Sequence, residues 1–182
     1  MIGKYLSKSF VAFIIVAVMY SLSPLVLALE EDECSNDAIP RSTPSNDFSV
    51  TGDGSTVIHE TTGLEWRRCL AGQTPERPED LLGCDGTATE MTWQEALQYA
   101  YDQGGNWRVP TVAELSSIVE ECRVFTAINR EVFPDAEANY TWSSTPMTEN
   151  QNHAWAVPFG NARTVGRHKT GAQPVRLVRF TP

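Results

Sequence analysis

The sequence lacks the closely spaced cysteine or histidine pairs that structural zinc sites use. Its four cysteines are Cys34, Cys69, Cys84 and Cys122, and its three histidines are scattered along the chain. A structural zinc ion is usually held by pairs of ligands that lie a few residues apart. We therefore expect no metal site, and no other motif indicates a cofactor.

Positive charge is also scarce. The chain has 14 Lys and Arg against 23 Asp and Glu, which gives a net charge of −9. Nucleic acids attract basic surfaces, so a nucleic-acid partner is not expected. Acidic residues are themselves absent beyond Glu149, where five basic residues follow: Arg163, Arg167, Lys169, Arg176 and Arg179. The C-terminal part is therefore expected to form a basic patch on an acidic protein.

No catalytic signature is present. His59, His153 and His168 could act as bases and Ser143 or Ser144 as a nucleophile, but no motif brings these side chains together. We therefore expect a protein that is not an enzyme. An enzyme of unrecognised class is the alternative.

A long apolar run occurs only at the N-terminus. Two lysines precede the apolar residues 10–19, a less apolar run with two serines and a proline follows, and small residues occupy positions 26 and 28, which is the pattern of a secretory signal. We expect a signal peptide over 1–28 and a periplasmic or secreted product without membrane contact. The alternative is an uncleaved anchor, because residues 10–29 approach the length of about 20 residues that crosses a bilayer.

An even number of cysteines in an exported protein indicates disulfides. Three pairings are possible, and the expected one joins Cys69 with Cys84 and Cys34 with Cys122. The first bridge closes a loop rich in Gly and Pro. The second ties down residues 29–47, an acidic and then Ser- and Pro-rich arm that is too polar to fold alone. Residues 48–182 are expected to form one domain.

Two Thr-x-x-Glu capping boxes, at 92–95 and 111–114, predict the starts of two helices. Apolar spacing predicts that the first helix ends at Gly104 and that the second reaches Cys122. On the second helix, Glu120 is expected to face water, as charges on an amphipathic helix usually do.

Short strands are predicted on both sides of these helices. Thr56–His59 and Leu64–Cys69 form a hairpin, and alternation in His153–Phe159 predicts that Trp155 and Val157 face the core. The further strands expected after Pro134 are Tyr140–Thr145, Thr164–Arg167 and Pro174–Phe180. Because strands and helices are segregated along the chain, the fold class is α+β with antiparallel sheets.

Several ordered blocks carry a resemblance to a known family. They run from Thr62 to Cys69 (TGLEWRRC) through 92–97, 107–115, 129–134, 140–145 and 154–161 to 175–179. In this order they resemble the Lcl C-terminal domain family of bacterial exported proteins, from about residue 48 to residue 180. The resemblance implies a C-type lectin-like fold, also similar to the formylglycine-generating enzyme, with two helices flanking antiparallel sheets. It also implies adhesion to sulfated or acidic glycans.

The ligand sets of those related folds are missing. Calcium sites in C-type lectins use a Glu-Pro-Asn or Gln-Pro-Asp triplet, whereas this chain has Gln173, Pro174 and Val175. Formylglycine generation uses C-terminal cysteines that hold copper, and every cysteine here lies at or before Cys122. Neither chemistry is expected.

The five tryptophans fall on faces predicted to be buried, so the candidate binding surface lies in the irregular segments 146–152 and 162–172. The candidate ligand-binding residues are Asn150, Gln151, Asn152, Arg163, Arg167, His168 and Lys169. We hypothesise that this non-catalytic recognition module holds an anionic or sulfated glycan through forked guanidinium contacts. The alternatives are a merely solvated hairpin and a structural or assembly partner of another envelope protein.

Overall fold

In the described part of the chain, short strands precede and follow two helices. The structure, a computed structural model, describes residues 34–35, 38–76, 83–123, 126–134 and 140–181, so the expected signal peptide lies outside the described residues. In chain order the elements are β1 (Phe48–Val50), β2 (Thr56–His59), β3 (Leu64–Arg67), β4 (Thr74–Pro75), β5 (Cys84–Asp85), α1 (Trp93–Asp102), α2 (Val112–Ser116), β6 (Tyr140–Pro146), β7 (His153–Pro158), β8 (Val165–His168) and β9 (Val178–Phe180).

All the sheets are antiparallel. One has the strand order β1-β2-β3-β9, a second has the order β6-β7-β8, and β4 pairs with β5. Gly63 adopts a φ of +67° in the turn between β2 and β3, a conformation that other residues rarely tolerate. The expected α+β class with antiparallel sheets is confirmed.

Both predicted capping boxes are present. At α1 the Thr92 backbone N–H donates to Glu95 Oε2 at 2.8 Å, and the Glu95 N–H donates to Thr92 Oγ1 at 3.4 Å. The second helix is shorter than predicted, because α2 ends at Ser116 instead of near Cys122. Ser116 Oγ donates to the Val112 carbonyl, and hydroxyls that bond backbone carbonyls in this way weaken a helix.

The expectation that Glu120 faces water is wrong. Its side chain is 1 % exposed and binds the arm. The backbone N–H of Ser42 donates to Oε1 at 2.8 Å, and that of Thr43 donates to Oε2 at 3.0 Å. Both hydroxyls donate to the same carboxylate at 3.0 Å. The second helix ends before this residue, so helical periodicity does not set its orientation.

Two clusters of buried side chains form the core. One lies between the four-stranded sheet and α2 and includes Trp66, Leu115 and Phe133. The other, between α1 and the three-stranded sheet, includes Trp142, Ala96, Ala100, Ala154 and Ala156. Of the two β7 residues predicted to face the core, Val157 is fully buried, whereas Trp155 is only half-buried, on the face opposite to Trp142. Trp142 fills the second cluster, so its neighbours on β7 are alanines.

Two disulfides join distant parts of the chain. Cys34 is bonded to Cys122 with a Cα–Cα distance of 4.9 Å, and Cys69 to Cys84 with 5.6 Å, which is the pairing expected from the sequence. The Ser35 backbone N–H also donates to the Cys122 carbonyl at 2.9 Å. None of the described helices is long and apolar enough to span a bilayer.

Candidate functional site

The predicted binding residues surround β8, an edge strand of the three-stranded sheet. The 150–152 loop lies beside the end of this strand. The Lys169 backbone N–H donates to the Asn152 carbonyl, and its Nζ donates to the Gln151 carbonyl, each at 2.8 Å. Arg163 precedes β8, at the opposite end of this strand from His168 and Lys169. The structure therefore brings the loop together with Lys169 and leaves Arg163 apart.

Two of the predicted cations lie over aromatic rings. Lys169 Nζ is 4.4 Å from the centroid of the Trp93 ring, and the guanidinium carbon of Arg167 is 4.4 Å from that of Tyr140. The Trp93 indole N–H donates to the Ser143 carbonyl at 2.8 Å, which fixes its ring. Neither cation pairs with an acidic side chain among the described residues. The two positive charges are therefore held in place without being neutralised.

None of the side chains considered for catalysis is hydrogen-bonded to another of them among the described residues. His153 and His168 face each other across β7 and β8 with ring centroids 5.2 Å apart, while His59 is buried in the other sheet, where desolvation lowers its pKa. The hydroxyls of Ser143 and Ser144 donate to backbone carbonyls, at 2.7 and 3.2 Å. In the parts of the chain that the structure describes, no three His, Cys, Asp or Glu side chains are placed to hold a metal ion.

A second charged group, the Arg67–Trp107 cluster, was not among the predicted sites. It consists of Glu65, Arg67, Trp107 and Arg179. Arg179 donates to both carboxylate oxygens of Glu65, at 2.8 and 2.9 Å, and these hydrogen bonds lower the pKa of Glu65. The guanidinium carbons of Arg179 and Arg67 lie 4.4 and 4.5 Å from the centroid of the Trp107 ring. The cluster thus contains two guanidinium groups and one carboxylate.

Arg67 differs from Arg179 in having no carboxylate partner among the described residues. The sequence indicates in part where the Arg67 side chain lies, because Glu65 and Arg67 alternate along β3 with Leu64 and Trp66 and therefore share the opposite face of the strand. Trp107 and Arg179 come from distant parts of the chain, and period-2 alternation within one strand does not reveal which distant residues will cover it.

A comparison with protein-family models found one matching family. Residues 55–179 match the Lcl C-terminal domain, in agreement with the resemblance seen in the ordered blocks. The matched range begins at the start of the β2–β3 hairpin and ends within β9, so it includes β2, β3 and most of β9 but not β1. A search of curated proteins found no match.

Proposed function

The chain belongs to the Lcl C-terminal domain family, and we propose that it is an exported, non-catalytic recognition module that binds an anionic glycan beside β8. The observation that carries this proposal is the pair of unneutralised cations, Lys169 over Trp93 and Arg167 over Tyr140. Sulfate and carboxylate groups are natural partners for such cations because guanidinium and ammonium groups donate strong hydrogen bonds to them.

Neutral hydrogen-bonding groups lie next to these cations. Asn150 and Gln151 are exposed in the loop that Lys169 binds, and His168 is exposed at the end of β8. Amides and an imidazole can bond the hydroxyls of a sugar while the cations bind its acidic groups. The surface therefore offers both kinds of contact that an acidic glycan needs.

The proposal includes an oxidising location and a C-type lectin-like arrangement. Both disulfides of the described residues favour the periplasm or the outside of the cell, where such bonds persist. Antiparallel sheets with two helices support the lectin-like arrangement that the family resemblance implies.

Heparin binding by the purified protein tests this function. We expect the double variant Arg167→Ala, Lys169→Ala to weaken binding by about tenfold and to reduce its salt dependence, since each lost ionic contact removes part of the electrostatic attraction. Arg41→Ala is the matched control, because Arg41 is an exposed cation in the arm. Unchanged affinity and salt dependence in the double variant would refute the proposal.

A further inference from the structure

A cavity of about 210 Å³ lies beside Arg67, and none of the residues that line it belongs to the proposed glycan surface. Its wall includes Arg67, Gln73, Thr74, Tyr99 and Gln103. Sites for drug-sized ligands usually have about 300–1,000 Å³, so this cavity suits a smaller molecule. Because β3, the C-terminal end of α1 and the segment around β4 all contribute to the wall, the fold itself positions these side chains.

The guanidinium of Arg67 has no hydrogen-bonded carboxylate partner among the described residues, although its charge helps to lower the pKa of the nearby Glu65. Arg67 is half-buried, and its guanidinium contacts the Trp107 ring but bonds no carboxylate of the described residues. The neighbouring Glu65 already accepts two hydrogen bonds from Arg179 and one from Thr56 at 2.8 Å. A partly desolvated guanidinium with free donors is a strong binder of planar anions.

Neutral polar groups complete the wall. The side chains of Thr74, Tyr99 and Gln103 form no hydrogen bond with another described residue, so their donors and acceptors remain available. Gln73 is already engaged, because its Oε1 accepts from the Leu70 N–H at 3.2 Å. The available groups can bond hydroxyls, while the ring of Tyr99 offers an apolar edge.

We propose that this cavity binds a small carboxylate that also carries hydroxyl groups, with Arg67 bonding the carboxylate and Thr74, Tyr99 and Gln103 bonding the remainder. Arg67 presents two parallel N–H donors, which match the two oxygens of a carboxylate in one plane. The site is separate from the β8 surface and does not depend on glycan binding there.

Isothermal titration of the purified protein with glucuronate tests the site, with glucose as the neutral probe and inorganic sulfate as an anion without hydroxyls. We expect saturable binding of glucuronate and at least about tenfold weaker binding of glucose and of sulfate. We also expect Arg67→Gln to weaken glucuronate binding by about tenfold or more, because it removes the charge-assisted hydrogen bonds.

Two further variants separate binding from folding. Arg67→Gln also removes packing on Trp107, whereas Gln103 is exposed and Gln103→Ala leaves the core intact. We expect Gln103→Ala to keep the wild-type melting temperature and to weaken glucuronate binding severalfold. The Lys169→Ala variant, which tests the β8 surface, should bind glucuronate as the wild type does.

Three results would overturn the carboxylate site. They are failure of glucuronate to bind, equal binding of sulfate and glucuronate, and unaltered glucuronate binding in both Arg67→Gln and Gln103→Ala. If the β8 variants lose heparin binding but still bind glucuronate, the two sites act independently, as proposed.

Discussion

Replacing Glu120 by Gln is expected to loosen the attachment of the N-terminal arm. The carboxylate is 1 % exposed and accepts hydrogen bonds from the backbone and the hydroxyl of both Ser42 and Thr43. The neutral amide of Gln keeps one acceptor oxygen, but its NH₂ group would face the N–H and hydroxyl donors of the arm and could not accept hydrogen bonds from them. Hydrogen bonds to charged groups contribute about 1.5–3 kcal/mol, so we expect a loss of about 2–4 kcal/mol in the free energy of unfolding.

Glu121→Gln is the matched control. Glu121 is the next residue along the chain and is exposed, and its carboxylate bonds no other described residue, although its backbone N–H donates to Ser42 Oγ at 2.8 Å. A surface change of this kind should stay within about 0.5 kcal/mol. In a thermal melt at neutral pH, Glu120→Gln should lower the melting temperature by roughly 4–16 °C, at about 2–4 °C per kcal/mol.

The pH dependence gives an independent check. Burial raises the pKa of Glu120, but the hydrogen bonds from Ser42, Thr43 and Cys122 outweigh it and leave the pKa below its ordinary value. A carboxyl with a lowered pKa contributes stability above its unfolded-state pKa and loses it as the pH falls through the folded-state pKa. The difference between wild type and Glu120→Gln should therefore shrink below about pH 4. Equal melts for Glu120→Gln and Glu121→Gln at neutral pH would refute this account.

Two further predictions concern the disulfide of the arm and the tryptophans of the three-stranded sheet. Replacing Cys34 and Cys122 by Ser together should lower the free energy of unfolding by about 4–5 kcal/mol in chemical denaturation, because the bridge closes a loop with a sequence separation of 88. Trp142→Ala should destabilise by about 3–5 kcal/mol, since Trp142 is fully buried, whereas Trp155→Ala should cost clearly less. Equal losses for the two tryptophan variants would contradict the observed orientation of β7.

Features that depend on nearby residues could be predicted from the sequence. The two capping boxes need a threonine and a glutamate three positions apart, and the hairpin of β2 and β3 needs a turn with Gly63. Each of these structures is determined by residues that lie within a few positions of one another. The family resemblance likewise rests on short ordered blocks, which can be compared without knowing the fold.

Features that depend on distant partners could not be predicted from the sequence. Glu120 lies inward because Ser42 and Thr43, more than 70 positions earlier, donate to it. Trp155 is only half-buried, on the face of β7 opposite to Trp142, which lies on the neighbouring strand and fills the second core cluster. The helix predicted to carry Glu120 ends at Ser116, and in both cases contacts with distant residues, not the local pattern, set the burial of the side chain.

Folding reduces the number of basic residues in the C-terminal part that can bind a ligand. Arg176 is 1 % exposed and donates to the backbone carbonyl of Arg67 at 2.9 Å, while Arg179 is paired with Glu65. Neither can serve an external anion without losing an internal partner, which would leave a buried group unsatisfied. The cations of that segment that can meet a ligand are therefore Arg163, Arg167 and Lys169. Arg67 lies far from that segment in sequence but can also meet a ligand, because the neighbouring carboxylate of Glu65 is already hydrogen-bonded to Arg179. Binding capacity on this acidic protein is thus set by which cations remain unpaired after folding, and this is why the two proposed sites are at β8 and at the cavity beside Arg67.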